Sequence, residues 1–202
     1  MKKFTDLTIG QYLEELSSAE PVPGGGSVSA YVAALGMGLS QMVARVALGR
    51  KKKPGMTPTE ENNDAAHRTT LQKIADSLEE TKRDAFQIVE IDPKIYQEVI
   101  AASGNAAKME DALQNSFRLQ ADLALLIVMA REWNAAIGEI VKGSIANDLV
   151  VSAGLLEGAF QGAYHTAMIN VKYMKDTVKK QHAEKALTEL KDRFGKGNAG
   201  AR

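Results

Sequence analysis

The sequence predicts an all-α protein, a single up-and-down bundle of long helices. Three observations favour this class: apolar residues recur at helical spacing, no stretch alternates as a half-buried strand does, and alanine is abundant. Hydrophobic residues make up 45% of the 202 residues, aromatic residues only 5%, and there are 17 glycines. A core with so few rings has to bring helix backbones close together. We expect one domain, residues 1–202, with a frayed tail over 196–202.

Helix starts are marked by capping residues. Thr8 and Gln11 fit a capping box for a first short helix. Thr57, Pro58 and Glu60 fit a second capping box, with proline at the first helical position, for a long polar helix. Both starts are therefore predicted from residues only three positions apart.

The remaining boundaries depend on single residues. Ser27 is the predicted N-cap of a helix over residues 28–49, and Asp92-Pro93 predicts a kink or restart with Asp92 as N-cap. Two further helices are predicted, one over about 107–141 and one from Asn147-Asp148 to about 179. A short final helix is predicted from His182 to Phe194.

Glycines are spaced along two of these helices. Gly154, Gly158 and Gly162 share one stripe, and each costs about 1 kcal/mol relative to alanine inside a helix. We expect a close crossing there, within the chain or between two copies. Gly36 and Gly38 suggest the matching flat surface.

Charge and cysteine content exclude several classes of function. The 25 basic and 25 acidic residues balance to a net charge of zero, so we expect no nucleic-acid partner. The absence of cysteine removes disulfides and thiolate chemistry, and suits a reducing compartment. No apolar signal core follows Met1, and the apolar stretch from Val28 to Gly49 contains Gln41 and Arg45. We therefore expect a cytoplasmic protein with no membrane partner.

The most pointed local signal is the glycine turn, residues 24–27. Gly24, Gly25 and Gly26 expose backbone N–H groups ahead of a helix, where anions or electron-rich ring atoms bind. The alternative is a flexible hinge after a proline-rich segment. The turn is neither a P-loop nor a dinucleotide-binding fingerprint, because the Gly-Lys-Ser/Thr ending and a preceding strand are both missing.

Other candidates have two interpretations each. The basic turn Arg50 to Lys53 is either a solvated loop or a site for an anionic ligand. Asp92 and Asp148 are either helix caps or carboxylates beside a pocket. The three histidines are far apart and form no two-ligand helical pattern, so we expect no metal.

The run Pro21 to Ala30, followed by Ala33-Ala34-Leu35-Gly36, resembles the opening motif of the formiminotransferase-cyclodeaminase C-terminal-like family. That family includes stand-alone bacterial methenyltetrahydrofolate cyclohydrolases of similar length. Ile91-Asp92 with Tyr96, and Asn147-Asp148 with Ile169-Asn170-Val171, resemble later segments of the family. Ser103-Gly104-Asn105-Ala106 and His165-Thr166 depart from its pattern.

The resemblance implies a folate one-carbon enzyme that is a homodimer with sites near the subunit interface. It implies no cofactor beyond the tetrahydrofolate substrate and no metal. The first function implied is a methenyltetrahydrofolate cyclohydrolase, which hydrolyses 5,10-methenyltetrahydrofolate to 10-formyltetrahydrofolate. The alternatives are a formiminotetrahydrofolate cyclodeaminase that releases ammonia, and a non-catalytic folate-binding helical dimer.

The resemblance also suggests site residues. Asp92 or Asp148 would act as general base for water or bind the amino-pyrimidine edge of the pterin. The glycine turn would hold the pterin or the reacting centre, and the basic turn would attract the glutamate tail. The expected substrate-binding residues are Pro23, Gly24, Gly25, Gly26, Ser27, Arg50, Lys51 and Asn170.

Overall fold

The computed structural model describes residues 3–52 and 54–196, and within them it confirms the all-α class. The six helices are α1 Ile9–Leu16, α2 Gly25–Gly49, α3 Pro58–Ala101, α4 Ala106–Ile140, α5 Asn147–Tyr173 and α6 Thr177–Lys196. Short 3₁₀ turns, Phe4–Asp6 and Ser144–Ala146, precede α1 and α5. Of the predicted frayed tail, residues 197–202 lie outside the described residues.

Helices α2 to α5 run up and down, as predicted. The N-terminal part of α2 meets the C-terminal part of α3, where Ser27 contacts Asp92. The same end of α2 meets the C-terminal part of α5, and further along α2 Ser40 bonds Ser152 with 2.7 Å between their hydroxyl oxygens. Helix α6 packs on α4 and α5, and its Phe194 ring stacks on an α5 ring.

Helix α2 is long and apolar enough to cross a membrane by composition alone. In the fold it packs along α3 and α5, and Ala30, Ala33, Met37 and Val43 are fully buried. These small side chains let the helix backbones approach closely, which is how a core poor in rings is filled. The contacts of α2 are those of a core helix of the bundle.

Both predicted capping boxes are confirmed. Thr8 accepts the backbone N–H of Gln11 at 3.2 Å, and the Gln11 side chain accepts the backbone N–H of Thr8 at 3.0 Å. Thr57 and Glu60 form the same reciprocal pair, with Pro58 as the first residue of α3. These starts are local, since each side chain binds backbone three residues away.

Two predicted helix starts are wrong, and they share a physical cause. Helix α2 begins at Gly25 with Gly24 as N-cap, so Ser27 lies inside the first turn. Helix α3 runs without a restart through Pro93, so Asp92 is not its N-cap. Pro93 has no N–H for the carbonyl of Val89, four residues earlier. The Ser27 hydroxyl donates to that carbonyl at 3.1 Å and replaces the missing donor.

The boundary between α5 and α6 also differs from the prediction. Helix α5 ends at Tyr173 rather than near residue 179, and α6 continues through Gly195 to Lys196. The Asp176 carboxylate accepts the backbone N–H groups of Val178 and Lys179, both at 3.0 Å, and this cap starts α6.

At the start of α5 the N-cap is Ala146, with no side-chain cap. The predicted capping residues Asn147 and Asp148 therefore lie in the first turn of the helix. The negative charge of Asp148 interacts favourably with the positive end of the helix dipole, but its side chain forms no capping hydrogen bond.

The glycine stripe marks a close crossing at one position only. A Cβ on Gly162 would lie 3.2 Å from the Cβ of Ser29 on α2, and one on Gly36 would lie 3.0 Å from Leu156 on α5. Gly154 and Gly158 have no neighbouring atom within 4 Å of such a Cβ. Within the described chain the predicted crossing is therefore confirmed for Gly162. Gly154 and Gly158 make no such crossing inside the chain, and a crossing there between two copies stays a prediction.

Candidate functional site

A cavity of about 340 Å³ opens where the N-terminus of α2 meets α3, α4 and the C-terminal part of α5. It brings together five residues predicted for the site: Gly24, Gly25, Gly26, Asp92 and Asn170. The rest of its wall combines apolar, aromatic and hydroxyl side chains, among them Tyr96, Leu113, Ser116, Thr166, Ile169 and Tyr173. Such a wall suits a flat ring with a few polar edges.

The Asp92 carboxylate, from the C-terminal part of α3, is half-buried at this cavity. Its Oδ2 accepts the backbone N–H of Ser27 at 3.0 Å, and its Oδ1 accepts the side-chain Nε2–H of Gln120 at 2.7 Å. Asp92 therefore caps α2 and not its own helix. Burial raises the pKa of the Asp92 carboxyl above its ordinary value, although both hydrogen bonds act in the opposite direction.

Among the glycines of the turn, Gly26 is the one that this arrangement requires. A Cβ on Gly26 would overlap with the Asp92 carboxylate and with the Gln120 amide. A Cβ on Gly25 would meet the Thr166 hydroxyl at 3.8 Å, an ordinary contact. The absence of a side chain at residue 26 therefore lets α3 and α4 reach the start of α2.

The start of α2 also presents hydrogen-bond donors. The first four N–H groups of a helix have no acceptor within the helix, and the one from Ser27 is taken by Asp92. Gly25 and Gly26 carry two more of these groups, and both residues line the cavity. Together with the positive end of the helix dipole, they can bind an anion or an electron-rich ring atom.

Ser27 and Pro23 do not line the cavity. The Ser27 hydroxyl, fully buried, donates to the Val89 carbonyl, so the Tyr12 hydroxyl must donate to Ser27 at 3.1 Å. Tyr12 stacks on Tyr31 with 5.0 Å between ring centroids, and burial raises the pKa of the Tyr12 hydroxyl. The structure therefore places the Ser27 hydroxyl away from the cavity, and the backbone N–H of Ser27 holds Asp92.

The basic turn lies at the other end of α2. The 25 residues of α2 span about 37 Å at 1.5 Å per residue, and this length separates Arg50 and Lys51 from Gly25. Arg50 and Lys51 line a separate cavity of about 410 Å³, and Lys53 lies outside the described residues. Arg68 holds this turn by donating to the Leu48 carbonyl at 2.7 Å. The structure thus does not bring the basic turn to the cavity of Asp92 within one chain.

Asp148 is likewise remote. It lies in the first turn of α5, whereas Asn170 is near the other end of that helix. The separation is about 33 Å at 1.5 Å per residue. Within one chain, the expected pair of catalytic carboxylates therefore reduces to Asp92.

Gln120, Ser116 and Thr166 were not among the predicted site residues. Ser116 and Gln120 are four residues apart on a largely apolar helix, so they share one face. Thr166 and Asn170 have the same spacing, and the Asn170 amide donates to the Thr166 carbonyl at 2.9 Å. Polar pairs at this spacing on apolar helices were the available signal. Among the described residues, no group of three or more His, Asp or Glu side chains is placed to hold a metal ion.

Residues 8–189 match the sequence profile described as Formiminotransferase-cyclodeaminase. Over 196 residues the chain is 26% identical to the formimidoyltransferase-cyclodeaminase of Rattus norvegicus, covering 92% of this chain and 34% of that protein. The chain thus spans about a third of the length of this relative. It is 29% identical over 204 residues to the methenyltetrahydrofolate cyclohydrolase of Methylorubrum extorquens, covering 95% of this chain and 91% of that protein.

The fold has a solved counterpart. The crystal structure of the formiminotetrahydrofolate cyclodeaminase of Thermotoga maritima superposes with a TM-score of 0.86 at 20% identity, covering 96% of this chain and 93% of that one. This likeness shows a common fold. Since the family profile extends over nearly all of the described helices, the chain belongs to the formiminotransferase-cyclodeaminase family.

Proposed function

We propose that this chain is a folate one-carbon enzyme that hydrolyses 5,10-methenyltetrahydrofolate to 10-formyltetrahydrofolate. The observation that carries the proposal is Asp92, a half-buried carboxylate with a raised pKa, at the wall of a cavity next to the helix donors of Gly25 and Gly26. The M. extorquens relative, which is matched over 91% of its length, has the name of this activity. Family membership supports the same substrate class.

The chemistry needs one general base. The methenyl carbon bridges N5 and N10 as part of a cyclic amidinium cation. Asp92 takes a proton from water as the water oxygen bonds to that carbon, which becomes tetrahedral. The bond from carbon to N5 then breaks with its electron pair left on N5, and the hydroxyl proton is transferred to N5. The balance is substrate and water on one side, product and one proton on the other.

The substrate can be oriented by the remaining wall. We place the pterin against the apolar and aromatic side chains, with Tyr96 and Tyr173 at its faces or edges. The N–H groups of Gly25 and Gly26 would bind an electron-rich ring atom, and Asn170 a polar edge. The cationic methenyl group would then lie near the anionic Asp92, which favours its binding. The reaction transfers no electrons and Asp92 supplies the base, so we propose that no redox cofactor and no metal is needed.

The second candidate is formiminotetrahydrofolate cyclodeamination. The R. norvegicus relative has cyclodeaminase in its name. In that reaction N10 attacks the formimino carbon and ammonia leaves, so the leaving nitrogen needs an acid. A neutral Asp92 could supply this proton. A carboxyl with a raised pKa can act as the base in hydrolysis and as the acid in ammonia release. The two reactions therefore have opposite pH dependence: hydrolysis depends on the carboxylate, and ammonia release on the carboxylic acid.

The experiment gives the purified chain each substrate separately. Hydrolysis is followed as loss of the near-ultraviolet absorbance of methenyltetrahydrofolate, and cyclodeamination as ammonia released from formiminotetrahydrofolate. Substrate in buffer without the protein serves as the blank for spontaneous reaction. We expect enzyme-dependent loss of the first substrate. Ammonia release alone would support the second candidate, and silence with both, with folate still bound, would support a non-catalytic binding protein.

We further propose that the chain is a homodimer that works in the cytoplasm. Along α5 and the adjacent face of α2, large apolar side chains are exposed: Val150 is 70% exposed, Val151 49%, Leu35 50% and Ile169 46%. Gly154 and Gly158 leave open space on the same helix, where a second helix could approach closely. Contact between two copies would cover this apolar face. A chain without cysteine suits the reducing conditions of the cytoplasm.

A further inference from the structure

Gln120 on α4 has an unusual hydrogen-bonding state. Its side chain is fully buried. Its Nε2 donates to the Oδ1 of Asp92 at 2.7 Å, and its Oε1 is a buried acceptor with no partner in the described part of the chain. The amide is therefore held by a bond to a carboxylate of the cavity and leaves an acceptor unused, which is unfavourable for a purely structural residue.

The other deeply buried glutamine provides the contrast. Gln41 on α2 donates through Nε2 to the Ala75 carbonyl at 2.9 Å and to the Glu79 carboxylate at 2.8 Å. Its Oε1 accepts from the Lys82 ammonium at 2.9 Å. Both ends of that amide are occupied, and none of these partners lines the cavity of Asp92. Gln41 thus has the bonding of a structural glutamine, and Gln120 does not.

We propose that Gln120 is a positioning residue for Asp92, which fixes the carboxylate against rotation and stabilises its charged form through this one hydrogen bond. The backbone N–H of Ser27 on α2 binds Oδ2, and the side chain of Gln120 on α4 binds Oδ1. Both carboxylate oxygens are therefore held, each by a different helix. Gly26 leaves the space in which the two side chains meet. Gln120 does not line the cavity, so it acts on a ligand only through Asp92.

The direction of the effect follows from the charge. A donor bound to a carboxylate favours its ionised form and lowers its pKa, against the effect of burial on Asp92. Removing the Gln120 donor should therefore raise the pKa of Asp92 further. The role in catalysis rests on the proposed hydrolysis, but the effect on the titration of Asp92 does not.

The test is Gln120→Met, which keeps the length of the side chain and removes its donor. We expect the Asp92 titration, followed by carboxyl ¹³C NMR of the ligand-free protein, to move up by on the order of one pH unit. The rising limb of kcat against pH for methenyltetrahydrofolate should move by the same amount. At a fixed pH on the acid side of the midpoint, a rise of about one unit in the pKa of Asp92 lowers kcat about tenfold. KM should stay close to that of the parent.

Two further variants complete the design. Gln120→Glu has the same size and places a second carboxyl beside Asp92, so the Asp92 titration should move up by more than in Gln120→Met. It tests the proposal if Gln120→Met does not fold. Gln41→Met is the matched control: it breaks three hydrogen bonds and should lower Tm, with no change in the Asp92 titration or the pH profile.

An unchanged Asp92 titration in Gln120→Met and Gln120→Glu would overturn the proposal, whatever the activity. A shifted titration in a chain that leaves both folates unchanged would support the positioning role and reject the proposed hydrolysis. The two failures are thus distinguishable, because the titration needs no substrate.

Discussion

Asp92 combines two tasks in one side chain. It accepts the N–H of Ser27 at the start of α2, and it presents a carboxylate to the cavity. Its burial disfavours the ionised form, so the pKa of the Asp92 carboxyl lies above its ordinary value in the folded protein. Gln120 and Gly26 set this group in place, one by a hydrogen bond and the other by leaving space.

Asp92→Asn should abolish most of the activity without loss of stability. We expect kcat for hydrolysis to fall roughly 10²–10⁴-fold, the usual contribution of a general base. The new amide can still accept from Ser27, and the unpartnered Oε1 of Gln120 can accept from it if that amide turns. Asp84→Asn, at an exposed aspartate of the same helix, should keep the parental rate. Parental kcat in Asp92→Asn would contradict the assignment.

The same variant gives a pH dependence of stability. Because the pKa of Asp92 is raised on folding, its favourable contribution is complete below the unfolded-state pKa. That contribution is lost as pH rises through the folded-state pKa, and Asp92→Asn removes this loss. Thermal unfolding followed by circular dichroism at pH 4 and pH 7 should show that the Tm of the variant increases relative to that of the parent as pH rises. The opposite trend would mean that Asp92 is stabilised as an anion.

Gly26→Ala should disturb both the site and the fold. Its Cβ would overlap with Asp92 and Gln120, and forcing extra atoms into a packed site costs about 1–3 kcal/mol. Gly25→Ala, one residue earlier, meets only an ordinary contact and should lose little stability. Urea unfolding of the two variants checks this. Equal stability of both would show that the turn has room to move.

At the scale of helices, one hydroxyl joins α2 to α3 where a proline interrupts the backbone pattern. The Ser27 hydroxyl donates to the Val89 carbonyl, which lacks its helical donor because of Pro93. The two segments are 62 positions apart in the chain. A glycine turn that begins one helix is thus attached to the proline position of another.

This link should appear as coupling in a double-mutant cycle. Ser27→Ala alone leaves the Val89 carbonyl and the Tyr12 hydroxyl without their partner, for a loss of about 1–3 kcal/mol. In a Pro93→Ala background the backbone N–H returns, so the loss should be smaller by about 1 kcal/mol. Urea denaturation of the four proteins measures the difference. Additive losses would show that the Ser27 hydroxyl does not replace the missing donor.

The same link explains what the sequence could predict. The capping boxes at Thr8 and Thr57 were predictable because each uses residues three positions apart. The sequence identifies Asp92 as a capping residue, but the backbone N–H that it accepts, that of Ser27, is 65 positions away. Local patterns therefore identify groups that bind backbone, and only the packing of helices decides which backbone they bind.

At the scale of the molecule, the direction of the helices decides which candidates meet. The up-and-down order brings the end of α3 and the end of α5 to the start of α2, so Asp92 and Asn170 join the glycine turn. The same order sends Arg50 and the start of α5 to the far end. Composition and periodicity predicted the bundle, but they carry no information on how far apart two motifs lie.

The exposed apolar face of α5 leads to a prediction about assembly. We expect sedimentation equilibrium to give twice the chain mass of 21.8 kDa. Val151→Glu would place a charge inside the proposed contact and should give the single-chain mass. Ile9→Glu, at a 66% exposed position of α1, is the matched control and should leave the mass unchanged. A parent that sediments as a single chain would contradict the proposed dimer.

The hydrogen bond from the Ser27 N–H to Asp92 also provides an NMR signal that reports on the site. An amide proton that faces a carboxylate changes its resonance frequency when that carboxylate gains a proton or contacts a cation. The only tryptophan, Trp133, does not line the cavity, so fluorescence reports poorly on its occupancy. The backbone ¹⁵N–¹H signal of Ser27 would instead register both the charge of Asp92 and the arrival of a ligand, in a binding screen that needs no turnover.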